Sequence, residues 1–125
     1  MERVRHHTDS SELRLIQRDL AIRKGRGGGV YVELQPFGAV YRKEWGIYWS
    51  ASDDLGAGKT GAYVEFDLPA DLPVQELPQK WFAGGRKGAI LLLGTNASFL
   101  DLGALQPQFV CWWKWYHNFL NWKQR

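Results

Sequence analysis

Cysteine and methionine each occur once in 125 residues, and histidine three times. A lone Cys111 excludes an internal disulfide, a CxxC pair and a Cys/His zinc set. His6 and His7 are adjacent on a stretch that reads as a strand, so they point to opposite faces and cannot share one metal ion. No apolar run is long enough to cross a bilayer, so no membrane segment is expected. The opening MERVRHHTDSSEL has no apolar core of the kind a secretory signal needs, and none is expected there. GxSxG is absent and Cys111 sits among tryptophans, so a serine or cysteine hydrolase lacks its nucleophile. GAGKTG, residues 56–61, ends like a phosphate-binding loop. The glycine that such a loop needs five positions before Gly58 is replaced by Asp53, beside Asp54, and the residues that follow alternate like a strand instead of opening a helix. The stretch therefore reads as a turn, with Lys59 unassigned.

An apolar fraction of 45% over this length fits one compact domain, residues 1–125, with a modest core. Sixteen Lys and Arg against thirteen Asp and Glu leave a net charge of +3. That favours an anionic partner without establishing nucleic-acid binding.

Arg3 to Thr8 reads as a short strand that runs directly into a helix. Asp9 offers the N-cap and Glu12 the carboxylate three residues on. Leu13, Ile16 and Leu20 then recur on one face for about three turns. The basic, glycine-dense run Ile22-Arg23-Lys24-Gly25-Arg26-Gly27-Gly28-Gly29 stops the helix and reads as a mobile loop. Val30, Val32 and Leu34 alternate with Tyr31 and Glu33 in a half-buried strand that Pro36 ends. Tyr41, Trp45, Tyr48 and Trp49 follow in a weakly patterned stretch. In the strand over 62–68, Val64, Phe66 and Leu68 suit a core, while Tyr63, Glu65 and Asp67 suit a wet cleft. Pro69, Pro73 and Pro78 mark an irregular run, and Ala89 to Leu93 reads as a strand buried on both faces. From residue 109, Trp112, Trp115, Tyr116, Phe119 and Trp122 fall at helical spacing. Short strands with one early helix predict an α+β domain with antiparallel sheets.

Three stretches carry a family likeness. Arg5-His6-His7-Thr8, Gly27-Gly28-Gly29-Val30-Tyr31-Val32 and GAYVEFDLP resemble, in order, the His-, Tyr- and acid-bearing strands of ADP-ribosyltransferases of the diphtheria-toxin and poly(ADP-ribose) polymerase type. More closely, RHHTD, GGGVYVELQPFG and GAYVEFDLPADL look like the His-Tyr-Asp domains at the C-termini of Rhs-type bacterial polymorphic toxins. This likeness covers roughly residues 3–72, continues loosely to Leu105-Gln106-Pro107-Gln108-Phe109 and does not extend to the Trp-rich tail.

The resemblance implies split antiparallel β-sheets with few helices, and NAD as substrate. It assigns catalysis to His6, Tyr31 and an acid, either Glu65 or Asp67. His6 would bond the adenosine ribose, the backbone at His7 would clamp the nicotinamide amide, and Tyr31 would stack on the nicotinamide ring. Thr8 would support His6, and Arg23, Lys24 and Arg26 would meet the pyrophosphate. Glu65 is slightly preferred over Asp67 because a mid-strand residue is held more rigidly. Glu65→Gln or Asp67→Asn is expected to stop NAD turnover with folding intact. The acceptor would be a protein or an RNA in a target bacterium. Delivery as an effector, action in the target-cell cytoplasm and a cognate immunity protein are implied as well. An NAD glycohydrolase on the same scaffold and a noncatalytic RNA-binding domain are the alternative expectations.

Overall fold

The computed structural model describes residues 2–37, 62–78 and 87–111, apart from the side chains of Ser10, Arg26 and Cys111. GAGKTG with Lys59, the aromatics at 41–49 and the expected helix from Trp112 onward lie outside the described residues.

The first strand, β1, spans Arg3–Thr8 and passes into α1, Ser10–Asp19. Asp9 caps that helix as its sequence predicts: its backbone is extended and its carboxylate accepts from the Glu12 N–H at 2.7 Å. Leu13 and Ile16 are buried, but Leu20 is 42% exposed. The helix has already stopped, and Leu20 adopts a left-handed conformation, φ 51°, that turns its side chain away from the helical stripe. Its carbonyl accepts from the Leu102 N–H at 2.8 Å, which ties the turn down.

The basic run after the helix is more ordered than its composition predicts. Ala21–Arg23 forms β2, Arg26–Gly28 makes a 3₁₀ turn, and β3 follows at Gly29–Leu34. Within the turn, Gly25 N–H donates to Gly29 O at 2.8 Å, and Leu93 N–H donates to Gly28 O at 3.1 Å. Gly27 needs to be glycine because its φ is +79°. Gly29 needs to be glycine for another reason: a Cβ there would lie 2.1 Å from the Leu91 carbonyl oxygen.

Further strands are β4 at Ala62–Asp67, β5 at Val74–Glu76, β6 at Lys87–Leu92, β7 at Phe99–Asp101 and β8 at Gln108–Cys111. Six of them form one sheet in the order β5-β6-β3-β1-β4-β8, and β2 pairs with β7 in a separate ribbon. Each pairing is antiparallel, so the chain is α+β as expected. β6 sits between β5 and β3 with Ala89, Ile90 and Leu91 buried, which fits its unbroken apolar run. β5 lies inside the proline run and at the edge of the sheet, where a missing N–H costs no ladder bond. Phe109, Val110 and Cys111, expected to begin a helix, instead extend the sheet as part of β8, with Phe109 opposite Val64.

Strand alternation divides the sheet into two chemically different faces. One carries Val4, Val30, Val32, Leu34, Val64, Phe66 and Leu91 against Leu13 and Ile16 of α1, with Ile22, Leu100 and Leu102 completing the core. The other carries Arg3, Arg5 and His7 of β1, Tyr31 and Glu33 of β3, and Tyr63, Glu65 and Asp67 of β4.

Candidate active site

The two middle strands are held together unevenly along their length. β1 and β4 pair continuously from Arg3↔Asp67 to Thr8↔Ala62, six register pairs. β1 and β3 share one, Arg5↔Glu33. Past that point no further register pair joins them, and the buried His7, Thr8 and Val30 lie at this end of the two strands. The glycine turn that precedes β3 lies at the same end.

Side chains link the two strands where the register pairing stops. On the core face, His6 Nδ1–H donates to the Tyr31 carbonyl oxygen at 2.8 Å. A carbonyl only accepts, so the proton is on Nδ1 and a neutral ring has Nε2 as its acceptor nitrogen. On the polar face, His7 Nε2–H donates to Glu33 at 2.7 Å, with both side chains fully buried. The His7 ring packs on the Tyr63 ring, centroids 5.7 Å apart. Thr8 is buried on the core face beside His6. The Tyr31 ring reaches back over the glycine turn, and a Cβ built on Gly27 would meet its hydroxyl oxygen at 3.0 Å.

The acids occupy a different part of the sheet. Glu65 accepts from Arg3 Nε at 3.2 Å and from Arg5 Nε at 2.8 Å, and Asp67 accepts from Arg3 at 3.1 Å. The Arg5 guanidinium also lies over two rings, 4.1 Å from the Phe37 centroid and 4.4 Å from that of Tyr63. Burial holds the Tyr63 phenol above its ordinary pKa of 10.0; nearby Arg5 acts in the opposite sense and Glu65 adds to the rise.

His6 and Tyr31 are therefore brought together through a ring and a main-chain carbonyl, not ring to ring. Tyr31, Glu65 and Asp67 share a face, but His6 lies on the other. Glu65 is two strands from Tyr31, roughly 10 Å across the sheet. Its negative charge is already matched by two guanidinium groups.

The expected pyrophosphate cations also have other placements. Arg23 lines a shallow groove with Glu12, Leu15, Arg18 and Phe99. Lys24 Nζ donates to the carbonyls of Gly94 and Thr95, at 3.0 and 3.5 Å. Neither belongs to a mobile loop: Arg23 is in β2, and the Lys24 N–H donates to Ser98 O. The Arg26 side chain lies outside the described residues.

Arg3, Arg5, Glu33 and Phe37 were not singled out in the sequence, yet they build much of this face. The available signal was the odd-numbered alternation of Arg3 and Arg5 on β1 against the odd-numbered acids on later strands. It becomes legible only when those strands are known to be neighbours. Among the described residues, no group of three or more His, Cys, Asp or Glu gathers as a metal site. No helix among them is long and apolar enough to cross a membrane. Comparison of the chain with protein-family models, curated proteins and solved structures finds no match.

Proposed function

We propose that the chain is an NAD-dependent ADP-ribosyltransferase whose NAD site lies at the end of β1 and β3 where their register pairing stops. The observation that carries this reading is the single register pair between those strands, beyond which the histidine segment faces Tyr31 and the glycine turn. The sequence likeness assigns its nucleotide-gripping groups to those same residues.

On this reading the main chain at residue 7 takes the nicotinamide amide and Tyr31 stacks on the ring. His6, with its proton fixed on Nδ1 by the Tyr31 carbonyl, presents its other nitrogen to the adenosine ribose as an acceptor. Cleavage of the bond between ribose and nicotinamide builds positive charge on the ribose, which an anionic carboxylate stabilises. Glu65 is the better placed acid, because its neighbour Val64 pairs with His6, whereas Asp67 pairs with Arg3 at the far end of β1. To act, Glu65 exchanges part of its contact with Arg3 or Arg5 for the developing cation. An acceptor hydroxyl, amine or carboxylate on a protein or RNA then attacks the opposite face of the sugar.

The test is incubation with adenylate-labelled NAD and a cell lysate, followed by protease or ribonuclease. Label released only by protease identifies a protein acceptor, and label released only by ribonuclease an RNA. Free nicotinamide without labelled macromolecule makes the chain a glycohydrolase. Intact NAD rejects catalysis on NAD altogether.

A further inference from the structure

Neighbouring histidines clasp β3 from opposite sides of the sheet. His6 reaches a main-chain carbonyl on the core face, while His7 reaches the Glu33 carboxylate on the polar face. The His7 bond sits beside the one point, Arg5↔Glu33, where the two strands are still in register. It therefore links the two strands on the polar face close to their register pair.

We propose that His7 and Glu33 are positioning residues that fix the separation of β1 from β3 beside their register pair. This rests on the NAD reading above, in which the main chain at residue 7 and the Tyr31 ring grip the nicotinamide from the two strands. An apolar pair would fill the same space without a preferred separation. A hydrogen bond to a charged group holds its heavy atoms to within a few tenths of an ångström. Two features make that restraint firm: both side chains are fully buried, and Tyr63 packs against the His7 ring. A misplacement of about 1 Å between groups that orient a substrate costs up to about 100-fold in kcat/KM, so the spacing carries functional weight.

Two substitutions separate geometry from charge. Glu33→Gln retains an acceptor at the same reach, whereas Glu33→Asp keeps the charge and shortens the reach by one methylene. Nicotinamide release is measured across NAD concentrations, with hydrogen exchange of the β1 and β3 amides recorded alongside. The expected result is that Glu33→Asp raises KM for NAD about 10-fold, lowers kcat less than about threefold and speeds exchange of the β1 and β3 amides. Glu33→Gln keeps KM within about twofold of wild type. The double variant His7→Leu/Glu33→Leu removes both polar groups, so neither is left buried alone, and should match the raised KM while remaining folded.

An unchanged KM in either Glu33→Asp or the folded double variant overturns the proposal and leaves the pair as core filling. A KM raised by Glu33→Gln as much as by Glu33→Asp also overturns it, because losing the charge at unchanged reach would then matter as much as changing the spacing. Wild-type protein that releases no nicotinamide overturns the NAD reading itself, and this is seen before any variant is compared. Unaltered exchange in Glu33→Asp overturns the proposed control of strand separation whether or not NAD is cleaved.

Discussion

The His6 ring ties β1 to its neighbour: its Nδ1–H donates at 2.8 Å to the carbonyl oxygen of Tyr31 on β3, past the register pair Arg5↔Glu33. The first prediction follows from the atom involved. Asparagine carries a donor at nearly the position of Nδ1, whereas leucine fills similar space with none. His6→Leu should therefore be less stable than His6→Asn by about 1 kcal/mol, read as a difference in urea midpoint at equal slope. Equal midpoints would show that the bond to Tyr31 contributes nothing to holding the strands.

Glu65 has a structural role that its sequence context did not reveal. It accepts charge-assisted bonds from both Arg3 and Arg5, so Glu65→Gln weakens two contacts of partly buried guanidinium groups. The expectation of intact folding is thus revised to a loss of about 1 kcal/mol, near the low end for bonds to charged groups because solvent still reaches the cluster. Combining Glu65→Gln with Arg5→Met should give a non-additive cycle, with a coupling of at least about 0.5 kcal/mol in chemical denaturation. Strict additivity would mean that the pair is incidental. Any effect of Glu65→Gln on NAD turnover has to be judged after this stability loss is measured.

Local signals in the sequence were sufficient where one element determined its own form. Asp9 and Glu12 located the start of α1, and the alternation of Val30, Val32 and Leu34 located β3 and its buried face. Ala89 to Leu91 showed burial on both sides because no polar residue interrupts them. Pairing between distant segments was not legible. Val74–Glu76 is exposed and flanked by prolines, so nothing local distinguishes it from an irregular run, and its strand form comes from lying against β6. Phe109–Cys111 likewise follows the exposed edge of β4 instead of the helical spacing of the tryptophans beyond it. The candidate site divides the same way. His6 and Tyr31 could be picked out from motif-like stretches, while Arg3, Arg5 and Glu33 acquired meaning only from register across β3, β1 and β4.

Close packing at β3 makes a sharper stability prediction. A Cβ on Gly29 would stand 2.1 Å from the Leu91 carbonyl oxygen, whereas one on Gly94 would meet nothing within 4 Å. Backbone is the obstacle at Gly29, so no side-chain rotation can relieve it. Gly29→Ala should cost about 3 kcal/mol or more, by forcing β3 away from β6. Gly94→Ala should stay within about 0.5 kcal/mol of wild type. Thermal or urea unfolding of the two variants decides the matter, and a Gly29→Ala protein as stable as Gly94→Ala would show that the close approach of β3 to β6 is wrong.

Tyr63 predicts a dependence on alkaline pH. Burial raises its phenol pKa above 10.0 in the folded chain, and Glu65 and Glu33 push in the same direction against Arg5. The folded state therefore holds the phenolic proton more tightly than the unfolded state does. Its contribution is fully present below the unfolded pKa of about 10, and is lost as pH climbs through the higher folded value. Tyr63→Phe removes this one titration while keeping the ring that packs on His7 and lies beneath Arg5. Unfolding free energies of wild type and Tyr63→Phe, followed from about pH 8 to 11, should diverge above pH 10, with wild type losing at most about 1.4 kcal/mol more per pH unit. Parallel profiles would show that Tyr63 titrates alike in both states, and that the polar face around Arg5 and Glu65 is wetter than its geometry indicates.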